Sequence, residues 1–227
     1  MSATLIGPEF MLRDLGWDED FHVVKVPMTF PVEHREVIVL PVATMTAKGK
    51  EQGEWIRMKD AIAKVMAKHR GERILVHTVS YELAKFLHDA LGGITYTDRA
   101  SRGRALAEYK ATEGAVMFAP SMDRGVDLPG DLCRVQVVAK LPYPYLGDKR
   151  VSTRLHTDGG QVWYNLQTIR SLVQMTGRGV RSADDWAVTY LLDRQFVANY
   201  HRYVPLLPDW WTEALVMDRR AQDVLGD

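Results

Sequence analysis

Cysteine, surplus charge and long apolar runs are all scarce in this sequence. Its single cysteine, Cys133, excludes an internal disulfide, and it also excludes a zinc site or iron–sulfur cluster held by several cysteines of this chain. Lysine plus arginine and aspartate plus glutamate both number 29, so the chain has no net charge that would attract a polyanion. Any surface that binds nucleic acid must therefore be a local patch.

Membrane and metal-binding features are missing from the sequence as well. No segment approaches the ~18 consecutive apolar residues that a membrane span needs, and the N-terminus lacks a secretory signal pattern. The seven histidines show no metal-ligand spacing, and no G-x-x-x-x-G-K-[ST] phosphate-binding loop occurs. We therefore predict a cytoplasmic protein with no membrane partner and no metal site of its own.

Short apolar segments alternate with amphipathic ones along the chain. Apolar runs at 73–78, 115–119, 134–140 and 187–193 are apolar throughout rather than at every second position, as in strands buried on both faces. The pattern predicts an α/β fold, an open and mostly parallel sheet with helices on both faces. We expect residues 1–50 to form an extended, proline-punctuated segment that packs on the same domain, and 51–227 to form the domain itself.

Ligands of such sheets bind beyond the carboxyl ends of the strands, so residues that follow strands are candidates. Ser80 follows the run at 73–78 and could present a hydroxyl and main-chain N–H groups to an anion, or simply cap the next helix. Gly125 and Asp127 follow the run at 115–119. They suit either a ligand-binding turn or a surface turn capped by a carboxylate.

The segment from Gln174 to Trp186 is the most informative, because it places Gly177, Arg178 and Arg181 where an amphipathic helix at 161–176 stops. Arginine offers a planar, permanently charged fork that fits phosphate oxygens. Cations that offset the dipole at a helix end are the alternative. Two glycines with two arginines exceed what that alternative requires.

In order, these segments resemble the second RecA-like domain of a superfamily 2 helicase, most closely in the DinG/XPD group. SATL at Ser2–Leu5 resembles motif III, and RILVHTVSYELAKFL is similar to motif IV. VMFAPSMDRGVDLPGD resembles motif V, and QMTGRGVRSADDWAVTYLLDRQF resembles motif VI. One departure is Arg124, at a position where the DinG/XPD group usually has glutamate.

The resemblance implies a role for each matching residue. Arg178 and Arg181 would be arginine fingers that reach the γ-phosphate of ATP, supported by Gln174 and Gly177. Gly125 and Asp127 would lie beside the nucleotide. The residues implied to contact the backbone of single-stranded DNA are Thr78, Ser80, Tyr81, Ser121 and Met122.

The implied function is that of the C-terminal motor domain of an ATP-dependent DNA helicase. ATP and Mg²⁺ would be bound mainly by an N-terminal RecA-like domain missing from this sequence, which starts at the motif III segment as though cut there. Alone, the chain should bind neither tightly and show little or no hydrolysis. Two alternatives stay open: a stand-alone, non-catalytic module that binds nucleic acid or a partner, and another α/β enzyme such as a nucleotide-sugar transferase.

Overall fold

The computed structural model describes residues 6–8, 12, 15–17, 22, 24, 26–121, 128–177 and 179–217. Within them, seven strands form one sheet in the order β3-β4-β2-β5-β6-β1-β7, and every adjacent pair is parallel. The strands are β1 (Val37–Ala43), β2 (Ile74–His77), β3 (Ile94–Thr95), β4 (Val116–Ala119), β5 (Val135–Val138), β6 (Val188–Asp193) and β7 (Leu215–Val216). The predicted parallel α/β fold is confirmed.

Helices connect the strands, as parallel pairing requires. They are α1 (Glu54–Lys68), α2 (Tyr81–Leu91), α3 (Arg102–Ala111), α4 (Lys149–Leu155), α5 (Gly160–Thr176) and α6 (Asp209–Thr212). Short 3-10 turns lie at Val32–His34, Ala47–Gly49, Gly130–Cys133 and His201–Leu206, and a π-helical turn lies at Phe196–Tyr200.

Each face of the sheet carries its own hydrophobic core. Helices α1 and α2 cover one face, where Met58, Ile62 and Leu87 are fully buried against the sheet. Helix α5 covers the other face with Ile169 and Val173, together with aromatic side chains from the C-terminal part of the chain. Because both faces are covered, the strands are apolar at successive positions, which is the pattern seen in the sequence.

The C-terminal part of the chain adds a strand to the sheet that the sequence does not predict. The sequence predicts a helix after residues 207–211; the structure has the four-residue helix α6 and then β7 there, and residues 218–227, where the rest of the predicted helix would fall, lie outside the described residues. Strand β7 pairs in parallel with β1, matching Val37 to Leu215 and Ile38 to Val216. A two-residue strand is too short to leave a periodic signal, so only its neighbour in the sheet reveals it.

Helix α5 runs from one edge of the sheet to the other, so the residues before it and after it lie at opposite edges. It connects β5 to β6, which are parallel, so it must run antiparallel to both and end at their amino-terminal edge. Two backbone bonds mark this edge: the Val188 N–H donates to the carbonyl of Arg134, and the Ala187 N–H donates to that of His34, both at 2.9 Å. The segment after α5 therefore lies at the opposite edge from the residues that follow β2 and β4.

Candidate nucleotide and nucleic-acid interfaces

The turn after β2 holds three of the predicted contact residues. Thr78 is fully buried; its N–H donates to the Ala119 carbonyl at 3.1 Å and its hydroxyl to the Ser80 carbonyl at 3.2 Å. These bonds join the turn to the neighbouring strand β4. Thr78 therefore shapes the turn from inside, and its side chain does not face solvent.

Between Thr78 and Ser80 the backbone is strained. Val79 has a φ of 56°, in the left-handed region that β-branched residues strongly disfavour. Strain of this kind costs about 1–3 kcal/mol and is concentrated at functional sites. The strained residue directs the chain into α2, where the Ser80 hydroxyl accepts from the Leu83 N–H at 3.3 Å and caps the helix. Tyr81, the first helical residue, is 42% exposed.

Tyr96, which the sequence analysis missed, joins the turn after β2 to the turn after β4. Its hydroxyl accepts a hydrogen bond from the Ser121 N–H at 3.0 Å and lies 3.2 Å from the Ser121 hydroxyl. Its ring meets that of Tyr81 edge to face, with centroids 6.1 Å apart. Burial raises the pKa of Tyr96, so the hydroxyl stays protonated at neutral pH. We call Thr78, Ser80, Tyr81, Tyr96 and Ser121 the strand-end cluster.

No sequence motif predicts a role for Tyr96, a single tyrosine that follows the two-residue strand β3. Only the pairing of β3 with β4, which matches Thr95 to Phe118, brings it beside Ser121. Met122, Gly125 and Asp127 lie outside the described residues, as does Arg178. Their predicted roles stay predictions.

At the opposite edge lie Gln174, Gly177 and Arg181. Gln174 is half-buried in the last turns of α5, and Gly177 ends the helix, its N–H donating to the Val173 carbonyl at 3.0 Å. A Cβ added to Gly177 would come within 3.1 Å of the Trp210 ring, so the glycine permits close packing there. Arg181 is exposed four residues further on. Unlike the candidates that follow strands, this group follows a helix that runs antiparallel to the strands, and it therefore lies at the other edge of the sheet.

The backbone of this loop, residues 177–187, is fastened by Asp185. Its carboxylate accepts hydrogen bonds from the Arg181 N–H at 3.0 Å and from the Trp186 N–H at 3.1 Å. The same buried carboxylate forms an ion pair with Arg134. We call residues 177–187 the arginine loop.

Arg134 connects the arginine loop to a second segment. Its Nε and Nη2 donate to one Asp131 carboxylate oxygen at 2.9 and 2.8 Å, and its Nη1 donates to the Trp186 carbonyl at 2.7 Å. The guanidinium also lies 5.1 Å from the centroid of the Trp186 ring. Burial alone would lower the pKa of Arg134, but the bonds to Asp131 and Asp185 outweigh it and raise the pKa. Arg134 thus ties the arginine loop to Asp131, which comes four positions after the predicted nucleotide-binding residue Asp127 in the sequence.

Two tryptophans support the start of the arginine loop. The Trp211 indole N–H donates to the Thr176 hydroxyl at 2.8 Å in a fully buried environment, and Trp210 packs against Gly177. Arg35, whose side chain is 8% exposed, pairs with Glu213 at 3.2 Å and donates to the Trp210 carbonyl. No local sequence pattern predicts this support, because its parts come from opposite ends of the chain.

The described residues show what the site can and cannot hold by itself. Arginine side chains and main-chain N–H groups suit a phosphate, but within the described ranges no cluster of three or more His, Cys, Asp or Glu could ligate a metal ion. In the same part of the chain, no helix is both long and apolar enough to cross a membrane.

Comparison with known proteins identifies the family to which this chain belongs. Residues 62–214 match the family model of the helicase C-terminal domain. A Bacillus subtilis (strain 168) protein named 3'-5' exonuclease DinG is 24% identical over 220 residues, which cover 88% of this chain and 24% of that protein. A Gallus gallus Fanconi anemia group J protein homolog is 28% identical over 111 residues, covering 43% of this chain and 9% of its own length. The chain thus spans at most a quarter of these two relatives.

Solved structures confirm the fold. An XPD helicase structure superposes with a TM-score of 0.62 at 18% identity, covering 91% of this chain and 40% of that one. The structure of Xpd4 from S. tokodaii gives a TM-score of 0.54 at 18% identity, covering 81% and 38%. Because the family model matches more than half of the 227 residues, this chain belongs to the helicase C-terminal domain family, and the proteins it is similar to include DinG and XPD-like helicases.

Proposed function

We propose that this chain is the second motor domain of an ATP-dependent DNA helicase, in which the arginine loop serves ATP and the strand-end cluster serves single-stranded DNA. The observation that carries the proposal is the arginine loop itself. Arg181 is exposed while the backbone beneath it is fixed by Asp185 and Arg134. An exposed arginine on a fixed stretch of backbone is what a finger reaching into a neighbouring domain requires.

In this proposal Arg178 and Arg181 contact the γ-phosphate of an ATP molecule bound mainly by a partner RecA-like domain. Their positive charge offsets the negative charge that develops on the transferring phosphoryl group, an effect worth about 10³-fold or more in rate. Gln174 and Gly177 support the loop, and Gly125 and Asp127 approach the nucleotide from the segment before Asp131. The bound Mg²⁺ and the attacking water belong to the partner domain.

The DNA-facing part of the proposal rests on the carboxyl edge of the sheet. Ser80 and Tyr81 lie at the start of α2, where N–H groups and the helix dipole favour a backbone phosphate. Ser121, with Met122 after it, lies beside them through Tyr96. Thr78 contributes by shaping the turn. Backbone contacts of this kind predict binding with little dependence on base sequence.

The experiment that tests the proposal uses the intact protein that contains this chain. Arg178→Ala and Arg181→Ala should each lower DNA-stimulated ATP hydrolysis by about three orders of magnitude. Arg181→Lys should not restore it, because a lysine lacks the fork. Arg150→Ala, at an exposed arginine of α4, is the control and should hydrolyse ATP normally.

Two outcomes would refute this assignment. One is wild-type hydrolysis by the two alanine variants. The other is substantial Mg²⁺-dependent hydrolysis by the isolated 227-residue chain, which on this proposal has no phosphate-binding loop to use.

A further inference from the structure

A cleft of about 350 Å³ opens at the same edge as the strand-end cluster. It lies between the turns after β2 and β4, the loop at 140–148, and helix α5. Its walls are mostly aromatic and apolar, including Tyr143, Tyr145 and Trp163, and Ser121, Gln167 and Ser171 add neutral polar groups. The volume falls in the range of sites that bind small organic groups.

The charge of the lining restricts what the cleft can hold. Within the described part of the chain, none of its lining residues is Asp, Glu, Lys or Arg, and the one ionisable side chain besides the tyrosines is that of His77 at the end of β2. A phosphate or a metal ion would be poorly stabilised there, because burying an ion without a countercharge is costly. A flat, neutral group that can stack on aromatic rings and hydrogen-bond at its edge fits these walls.

The back wall of the cleft is already rigid. Tyr143 stacks on Tyr164 with ring centroids 5.9 Å apart, and its hydroxyl donates to Gln195 at 2.9 Å. The Tyr164 hydroxyl donates to the Pro144 carbonyl at 3.1 Å, which fixes the loop. A wall that is ordered before a ligand arrives lowers the entropic cost of binding.

The loop is fastened at its start by Asp193, a fully buried residue at the end of β6. Its carboxylate accepts from the Leu141 N–H at 2.9 Å and from the Gln195 N–H at 3.1 Å. Burial raises the pKa of Asp193, whereas these backbone bonds act in the opposite direction. The loop that carries two of the cleft's tyrosines is therefore anchored to the sheet.

Tyr145 forms the outer wall. It is 78% exposed, so the fold gains little from its ring. A Cβ added to Gly147 would lie 2.3 Å from that ring, so glycine at position 147 is what allows Tyr145 to fold back over the loop. A large ring that is placed at a cleft but hardly packed by the protein is available to pack against a ligand.

We propose that this cleft binds one base of the single-stranded nucleic acid, stacked against Tyr145 and beside Trp163, while the adjoining phosphates lie at the strand-end cluster. The link between the two surfaces is Ser121, which lines the cleft and is bonded to Tyr96 in the cluster. This inference rests on the proposed function, and it adds a subsite for one base to a track defined by backbone contacts.

The test measures binding of fluorescently labelled oligothymidine to the intact protein, with a single abasic site moved along the strand. One position should be sensitive to base removal, and Tyr145→Ala should weaken binding about five- to hundredfold and abolish that sensitivity. Tyr145→Phe keeps the ring and should bind like wild type. Leu146→Ala is the matched control, since Leu146 is a half-exposed neighbour that does not line the cleft.

A second readout reports stacking directly. With 2-aminopurine at the sensitive position, its fluorescence should be quenched by the wild-type protein and should recover with Tyr145→Ala. An even response to the abasic scan, together with wild-type affinity of Tyr145→Ala and Trp163→Leu, would overturn the base subsite. That result would not contradict the motor-domain proposal, which is tested separately. The motor-domain proposal fails if the Arg178 and Arg181 variants hydrolyse ATP at the wild-type rate.

Discussion

The carboxylate of Asp185 accepts a hydrogen bond from the backbone N–H of Arg181 at 3.0 Å while it is paired with Arg134. This relationship places a partly buried ion pair directly beneath the backbone of a proposed catalytic arginine. The two paired residues are 51 positions apart in the chain. Arg134 lies just before β5 and Asp185 just before β6, and these two strands are parallel neighbours. It explains how a glycine-containing loop can keep the backbone beneath an exposed arginine in one place.

Asp185→Asn should lower ATP hydrolysis by the intact protein about tenfold or more. The neutral amide loses the ionic attraction to Arg134, and its NH2 group cannot accept a hydrogen bond where a carboxylate oxygen now does, so the loop is held less firmly. The free energy of unfolding should fall by about 1–3 kcal/mol, as expected for one disrupted buried hydrogen-bonding partner. Affinity for single-stranded DNA should be unchanged, since the strand-end cluster lies at the other edge. Steady-state hydrolysis, a chemical melt and DNA titration measure the three quantities.

Asp184→Asn is the matched control, because Asp184 is the exposed neighbour in the same loop. It should leave hydrolysis and stability as they are. Equal effects of the two substitutions would show that loop charge, and not the pair with Arg134, is what matters.

Gly179→Ala should destabilise the arginine loop severely. An added Cβ would lie 2.2 Å from the Cβ of Ala187 and 3.0 Å from the carbonyl of Cys133, so the backbone must shift. We expect a loss of about 1–3 kcal/mol, typical of overpacking, with reduced hydrolysis. Gly103→Ala is the comparison: its Cβ meets nothing within 4 Å in helix α3, so it should stabilise the protein by about 0.5–1 kcal/mol. Thermal denaturation of both variants checks the opposite signs.

Trp211→Phe should lower the free energy of unfolding by about 2 kcal/mol. The substitution leaves the buried Thr176 hydroxyl without the indole donor and opens a small void under α5. Trp17→Phe, at a tryptophan that is 53% exposed, should change stability by less than about 0.5 kcal/mol. Urea unfolding followed by circular dichroism compares the two, and equal losses would contradict the buried support of the arginine loop.

Alkaline pH should destabilise the fold through its buried tyrosines. Burial raises the pKa of Tyr190 from 10.0 to about 12, and it also raises the pKa values of Tyr109 and Tyr143. A raised folded-state pKa means that the folded protein keeps protons which the unfolded chain has released, so this stability is complete below pH 10 and is lost as the pH rises toward 12. Melting temperatures measured between pH 8 and 12 should fall from about pH 10.

Tyr190→Phe isolates one contribution. It removes the bond of 2.7 Å between the tyrosine hydroxyl and Nε2 of His69, so the variant should be about 1 kcal/mol less stable at pH 8. Its stability should then decline less steeply above pH 10. An unchanged alkaline slope would mean that Tyr190 does not take part in the transition.

Much of the fold could be predicted from local pattern. Runs such as 134–140 are apolar throughout, which is the signature of strands covered on both faces, and the helix at 161–176 is observed at Gly160–Thr176. Strand β7 could not be predicted, because two residues are too few to show the apolar–polar pattern of a strand. Its strand partner, β1, lies some 180 positions earlier in the chain. The order of the strands in the sheet could not be predicted either, because it is set by pairing between distant segments and not by local sequence pattern.

The candidate site divides in the same way. Ser80 as a helix cap and Gly177 as a helix end follow from local backbone chemistry, and both are observed. Tyr96 and Arg134 were missed because each acts through a partner distant in the chain, Ser121 in one case and Asp185 in the other.

The sequence by itself determined the class of fold, the helix ends and the identity of the charged groups, since periodicity, capping and residue chemistry are local properties. Tertiary structure decided which edge of the sheet each group occupies. A helix that joins parallel strands must run back along them, so it carries Gln174, Gly177 and Arg181 to one edge and leaves the strand-end cluster and the aromatic cleft at the other.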